Sequence, residues 1–455
     1  MKQVLQNLRT GSVEVEQVPP PALRAPGVLV ATACSLISPG TERATVELGR
    51  SSLLGKALRR PDQVRKVLDN LRREGMRQTY HKVQQRLDVT RPLGYSCSGI
   101  VLETLEISHL RTGDRVACAG TDAATHAEIN FVPRNLCVAI PERVGFEEAA
   151  FAALGAIALH AVRLGGSAIG ETAAVLGLGP VGLLLAQILR AAGCRVAGFD
   201  LRDDRLTLAR TLGIEWVASA AAPLDEALLA WNLRHGFDVV YIAAASRSVE
   251  PVHTAVAVAR DRGRIVVVGD VPTDFPRAAC YAKELSIVYA RSYGPGRYDP
   301  AYEERGEDYP RAFVPWTAGR NLEAFLELVA RGQVAVAPLI SHRLAIEHAE
   351  RAYEIVTGSE PSLGVLLTYP AAEKPASATV VLRAAGARAG AMCIGFIGAG
   401  SYASSYLLPA LKARRDVALA SLCTSRGATA RKAAEQFGFA RCTTEPEEIL
   451  RDPDI

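Results

Sequence analysis

The chain has 455 residues, of which 49% are hydrophobic and 22% charged, and a formal net charge of +4. That length holds two or three domains with sizeable cores, and so small a net charge gives no global reason to expect nucleic-acid binding. The opening MKQVLQNLRTGSVEVEQV lacks an apolar run and no stretch reaches 18 consecutive apolar residues, so neither a signal peptide nor a membrane span is predicted and a cytoplasmic location is expected.

Nine cysteines are scattered singly with no CxxC pair, which argues against a disulfide framework or a thiolate metal cage. From Lys2 to about Ile140 short alternating runs such as GVLVATAC and SGIVLETL, punctuated by Gly, Pro and Asp, predict a mostly β unit. Within it, Arg50 to Arg91 carries 12 Lys or Arg against 4 Asp or Glu, with apolar residues at helical spacing. This basic helical insert is either a lid that attracts an anionic substrate or a pair of amphipathic helices with a solvated basic face. FEEAAFAALGAIALHAVRLGG then reads as one long helix.

From Glu171 strands and helices alternate, which predicts a parallel sheet with right-handed crossovers. The expected organisation is a β-rich catalytic domain over 1–150, a dinucleotide-binding domain over 151–290, a return to the catalytic domain over 291–370, a linker over 371–391 and a partial second Rossmann unit over 392–455.

AAVLGLGPVGLLLAQILRAAG places G-x-G-x-x-G between an apolar strand and an apolar helix, the setting a dinucleotide site requires. Gly177 permits the tight turn, Gly179 the approach of the pyrophosphate and Gly182 close helix–strand packing, and the helix start at Pro180 and Val181 offers free N–H groups. Asp200 closes the next strand 23 residues after Gly177, where a carboxylate accepts ribose hydroxyls and repels a 2′-phosphate. NAD is therefore expected. Leu201 and Arg205 complete the predicted site, and Arg202 with Arg205 leaves NADP open.

The order of these units, with GDRVACAG, FEEAAFAALGAIALHAV, GLGPVG and KELSIVYARS, resembles the medium-chain dehydrogenase/reductase family of alcohol dehydrogenase type. The resemblance covers about residues 1–370. It implies an α/β protein: a GroES-like β-rich catalytic domain and a doubly wound Rossmann sheet. Zinc-dependent members carry three ligands whose positions fall here on Ser38, Tyr95 and Ala156, none a competent zinc donor, so no zinc is expected. His126 and His160 read as packed or hydrogen-bonded histidines more readily than as replacement ligands. Tyr95 is the candidate proton donor, its pKa lowered from about 10 by the positive nicotinamide ring. Thr41 and Glu42, with Arg43, are candidates to line the same pocket. Ordinary packing accounts for any of these residues equally well.

The Tyr-rich stretch from Ser292 to Pro310, with Trp316 beyond it, suits either a polyol, through ring stacking and polar contacts, or a contact in a homo-oligomer. MCIGFIGAGSYASSYLLPALK is a second strand, glycine turn and helix, similar to the start of the Gfo/Idh/MocA sugar and inositol dehydrogenases. Gly398, Gly400 and Ala403 match the pattern, while Thr424, Ser425 and Arg426 stand where an acid would select NAD. The family's remaining strands and substrate domain do not follow, so a C-terminally truncated bi-domain oxidoreductase is expected, with residues 392–455 binding cofactor poorly. Glu373-Lys374-Pro375 matches that family's EKP triplet at a position too early to count.

The reading is a zinc-independent, NAD-dependent oxidoreductase acting on an alcohol or carbonyl of a sugar-like small molecule, without nucleic-acid or membrane partners. An NADPH-dependent quinone or enone reductase and a non-catalytic nucleotide-binding module are the alternatives.

Overall fold

The computed structural model describes residues 1–50, 90–221, 231, 235–371, 377–383 and 391–455. The basic insert, apart from its ends, and the EKP triplet lie outside the described residues.

Four sheets organise the described residues. Strands β1 (Lys2–Asn7), β2 (Val13–Gln17) and β4 (Thr90–Pro92) form a small antiparallel sheet in the order β2-β1-β4. The larger sheet of the first unit runs β15 (Ile340–Ala345), β16 (Gly364–Thr368), β3 (Gly27–Ile37), β5 (Ser96–Leu105), β6 (Arg115–Ala119) and β8 (Cys137–Ala139), with β7 (Ile129–Pro133) also on β3. Residues after the nucleotide-binding segment thus return to complete the first unit, as β16 pairs antiparallel with β3.

The Rossmann sheet is ordered β11 (Trp216–Ser219), β10 (Arg195–Asp200), β9 (Thr172–Leu176), β12 (Phe237–Ile242), β13 (Ala259–Val267) and β14 (Ser286–Tyr289), and every pairing is parallel. β9 is buried along its whole length, as a near-continuous apolar run in a sheet covered on both faces should be. The strand order reverses at β9, running outward on one side to β10 and β11 and on the other to β12, β13 and β14, so the topological switch point, where such sheets bind ligands, lies at its carboxyl end.

The bridging segment corrects the expectation of one long helix. Helix α1 (Thr41–Arg50) precedes it, and the bridge itself is split into α2 (Phe146–Ala149) and α3 (Ala152–Gly165). The break turns the fully buried Phe151 inward, against Gly364, where a Cβ would lie 2.4 Å from the ring. Gly155 makes the same allowance for Phe325. α3 packs on α4 (Pro180–Ala191) and on the helix at Ala318–Ala330.

The last sheet, β17 (Thr379–Val381), β20 (Arg441–Thr443), β19 (Val417–Cys423) and β18 (Met392–Ile397), holds the second fingerprint. β18, β19 and β20 are parallel. The predicted linker is not structureless, for β17 lies inside it and pairs antiparallel with β20. This unit docks on the first. Gly427, at the start of the helix Gly427–Phe437, sits so close to Pro19 that a Cβ would fall 1.8 Å from its carbonyl oxygen. The Thr444 hydroxyl donates to Pro20 O at 2.6 Å, Ala22 N donates to Ser425 O at 3.3 Å, Arg431 pairs with Glu16 at 3.1 Å and Arg426 with Asp122 at 3.5 Å. Leu5, Val18 and Ala428 form a small apolar seam beneath.

Candidate active site

The first glycine turn has the geometry a dinucleotide needs. Gly177 has φ +96°, which L side chains rarely adopt, and a Cβ there would strike Ala244. At Gly182 a Cβ would lie 1.9 Å from Gly177 O, whereas at Gly179 the nearest atom is Arg205 Nη1 at 3.9 Å. Space is therefore open where the backbone must approach a pyrophosphate. Gly179 caps α4 and Pro180 and Val181 begin it, so its first N–H groups face that opening.

Asp200 is buried at the end of β10. Its carboxylate accepts from Leu178 N at 2.7 Å and from Arg202 N at 3.0 Å, so the same group that would meet the ribose also fixes the glycine turn. Arg205 lies 3.5 Å from it, and the buried Arg205 Nε finds no hydrogen-bond partner among the described residues. Arg202 is drawn aside by Asp204, which accepts two hydrogen bonds at 2.9 and 2.8 Å. Leu201 is exposed. Glycines, helix start and acid together suit a nicotinamide dinucleotide.

The sequence candidates Thr41, Glu42 and Tyr95 are brought together. Half-buried Tyr95 lies beside the side chains of Ser38 and Thr41, which follow β3 and begin α1. Burial, outweighing these neighbours, and the nearby Glu42 charge push the phenol up to about 12. This is opposite in direction to the lowering expected beside a nicotinamide ring, because desolvation and the neighbouring anion outweigh Ser38 and Thr41 at the phenol. Arg43 turns away to Glu47 at 2.8 Å.

A buried polar chain backs this corner, one that sequence reasoning missed. His126 Nε2 meets Glu42 Oε2 at 3.0 Å and its Nδ1 meets Ser35 Oγ at 2.6 Å. Ser35 in turn meets the Tyr369 hydroxyl at 2.7 Å. Glu42 also accepts from the Tyr353 hydroxyl and, at 3.1 Å, from Ser38 N. With the Glu42 carboxylate as acceptor, the His126 proton is placed on Nε2 and Ser35 donates to Nδ1. His160 is buried and its pKa is lowered by burial and by Arg163.

The three positions that the family resemblance gives to zinc ligands hold Ser38, Tyr95 and Ala156, and among the described residues no group of three or more His, Cys, Asp or Glu converges as a metal site. The donor set present does not fit tetrahedral zinc.

The Tyr-rich stretch uses most of its rings internally. Tyr302 is buried and stacks on Tyr309 at 5.6 Å, and Arg163 covers Trp316 at 3.4 Å. Two polar atoms are left open: the Tyr293 hydroxyl and Arg297 Nε are buried without hydrogen-bond partners among the described residues. Tyr293 OH lies 3.9 Å from the Cβ position of Gly120, whose N–H binds Tyr95 O at 2.9 Å. Arg297 pairs with Glu303 at 2.6 Å and reaches Thr121 at 3.2 Å. These polar groups therefore lie near Tyr95, at the junction of the first unit and the segment following β14.

The second turn is built less completely. Gly398 has φ +93° and a Cβ at either Gly398 or Gly400 would meet nothing, but the backbone of Ser425 and the side chain of Arg426, at the ribose corner, are engaged by the first unit.

Residues 180–305 match the zinc-binding dehydrogenase family and residues 392–455 the oxidoreductase family with an NAD-binding Rossmann fold, Gfo/Idh/MocA. The probable D-xylulose reductase A of Aspergillus terreus is 29% identical over 301 residues, covering 58% of this chain and 78% of that protein. Galactitol-1-phosphate dehydrogenase from Escherichia coli superposes with a TM-score of 0.61 at 20% identity, over 81% of this chain and all of that one. Alcohol dehydrogenase TADH from Thermus sp. ATN1 gives 0.59 at 21% identity, with the same coverage. These structures share the fold. The chain is thus an NAD(P)-dependent oxidoreductase, similar in its first part to medium-chain dehydrogenases and over residues 392–455 to the Gfo/Idh/MocA Rossmann unit.

Proposed function

We propose that the protein is an NAD-preferring, zinc-independent oxidoreductase that moves hydride to or from an alcohol or carbonyl carbon of a sugar-like substrate. The observation that carries this reading is the Tyr95 phenol beside Ser38 and Thr41, at a position that the family resemblance gives to a metal ligand. When bound, the nicotinamide supplies or accepts the hydride. The chain's own residues do the rest. Tyr95 gives a proton to the carbonyl oxygen in reduction and takes it back in oxidation. Tyr293 OH and Arg297 Nε are unspent donors for substrate oxygens. Because Glu303 already balances Arg297, they favour an uncharged hydroxylated substrate over an anion. The buried Asp200 supports NAD over NADP. D-Xylulose is the first substrate to test, given the relatives matched.

The test is NADH-dependent reduction of D-xylulose by the full chain before and after exhaustive chelation, alongside Tyr95→Phe. Activity that survives chelation and falls on the order of 10²-fold or more in Tyr95→Phe is expected. Loss of activity on chelation with recovery on adding zinc contradicts the zinc-independent reading.

A second reading is favoured by one observation, the unpartnered Arg205 Nε beside Asp200, which suits a 2′-phosphate. Tighter binding of NADPH than NADH would move the protein toward the quinone or enone reductases. For residues 392–455 we propose weak cofactor binding at most, since the first unit already engages the ribose corner of that fold. One tight nicotinamide site per chain is the expected stoichiometry.

A further inference from the structure

We infer that the buried Glu42–His126 pair is a clamp that positions Tyr95, joining the two backbone segments beside it; the inference rests on the reading of Tyr95 as the proton-transfer group. The two segments are distant in sequence. One is the end of β3 and the start of α1, which places the Ser38 and Thr41 side chains beside Tyr95. The other is Leu93–Gly94, the two residues that deliver Tyr95.

Glu42 fixes the first segment by accepting from Ser38 N at 3.1 Å. His126 fixes the second: its N–H donates to Leu93 O at 2.8 Å, and its backbone nitrogen would lie 2.8 Å from a Cβ at Gly94, so the histidine rests directly on that residue. The bond from His126 Nε2 to Glu42 Oε2, at 3.0 Å, ties one segment to the other. Ser35 on β3 and Tyr353 on the helix Ala349–Thr357 hold the outer corners of the pair. Both clamp residues are almost wholly buried, Glu42 at 3% and His126 at 0% exposure, and their side-chain polar atoms are already engaged by one another and by Ser38, Ser35 and Tyr353, so neither is left to meet substrate. They are positioning residues, and a phenol displaced by about an ångström from its acceptor would cost on the order of 10²-fold in rate.

Uniform labelling of the full chain with ring-labelled tyrosine, with the Tyr95 resonance assigned by its loss in Tyr95→Phe, reads the position of that ring without any substrate. Glu42→Ala is expected to move or broaden the Tyr95 signal. Glu42→Gln should restore it, because a glutamine oxygen still accepts from Ser38 N while its amide donates to His126 Nε2, the imidazole proton passing to Nδ1 and its hydrogen bond to Ser35. If Glu42→Ala does not fold, His126→Asn is expected to displace the same resonance. A Tyr95 signal unmoved in both variants overturns the clamp.

Kinetics give the second arm. In D-xylulose reduction Glu42→Ala should lower kcat about 10²-fold while NADH affinity stays within about twofold, and in a Tyr95→Phe background it should cost little more, because it acts through the missing hydroxyl. Multiplicative losses would mean that Glu42 acts independently of Tyr95 and would overturn the inference. Should the unaltered chain reduce no ketose, the proposed activity falls while the resonance still decides the clamp.

Discussion

Replacing Asp200 by Asn tests the link between cofactor choice and the architecture of the first glycine turn. The carboxylate accepts from Leu178 N at 2.7 Å and Arg202 N at 3.0 Å, and in the proposed reading its remaining lone pairs meet a ribose. Asn keeps one carbonyl oxygen, enough for Leu178, but turns an N–H₂ toward Arg202 N, itself a donor. One charge-assisted hydrogen bond is worth about 1.5–3 kcal/mol. Losing one such bond to the ribose should therefore weaken NADH binding about tenfold to hundredfold, at tenfold per 1.4 kcal/mol. The same change removes the anion that repels a 2′-phosphate and frees Arg205, 3.5 Å away, to pair with one. NADPH binding should accordingly tighten, reversing the preference. Titrations of both cofactors by nicotinamide fluorescence give the two dissociation constants, and thermal unfolding of the free protein separates damage to the turn from loss of the ribose contact. An NADH dissociation constant unchanged in Asp200→Asn would refute the assignment of this carboxylate to the ribose.

Other outcomes follow from the geometry. Gly182→Ala places a Cβ 1.9 Å from Gly177 O, and overpacking of about 1–3 kcal/mol should lower the melting temperature and abolish nicotinamide binding at the first site; tight NADH binding by this variant would contradict the turn described. Tyr95, pushed up to about 12, should stay protonated through neutral pH in the free protein, and saturating NAD+ should move its ionisation downward, read as a tyrosinate difference spectrum against Tyr95→Phe. Glu448 is raised by burial but held below the usual carboxylate range overall by hydrogen bonds from Thr379, Thr443, Ala378 and Ser377. A carboxylate so depressed stabilises the fold above its unfolded pKa and loses that contribution as pH falls through the lower folded value. Protection of the β17 amides relative to their intrinsic exchange rates should therefore fall as pH drops below the ordinary glutamate range, and Glu448→Gln should remove that dependence. Gly427→Val, which intrudes on Pro19 O, should loosen the docking of the last sheet and increase protease sensitivity near residues 16–22 without altering NADH affinity.

Much of the nucleotide-binding half was legible because its signals are local. The turn, the helix start and Asp200 fall within one strand–helix–strand run, where glycine spacing and apolar periodicity report the backbone directly. The Glu42–His126 contact spans 84 residues, and no periodicity encodes such a meeting. His126 could be read only as a histidine in need of some partner. The helix break at Ala150–Phe151 was hidden by helical spacing on both sides, and its cause is the distant Gly364. β17 sits in an Ala-, Pro- and Lys-rich stretch whose composition suggests a linker; β20 supplies the edge that recruits it. The rings of the Tyr-rich loop looked available in sequence, yet Tyr302 and Tyr309 occupy one another.

The docking of the last sheet also bears on how the molecule is assembled in time. Its bonds join residues as far apart as 414 and 424 positions, from Arg431 to Gln17 and from Thr444 to Pro20. Contacts of that span carry a large loop-closure cost and form late. β1 and β2, paired locally across a short turn, should thus spend the early stages of folding with one side bare. That strand pair is the stretch of the protein where slow or incomplete folding would first become visible.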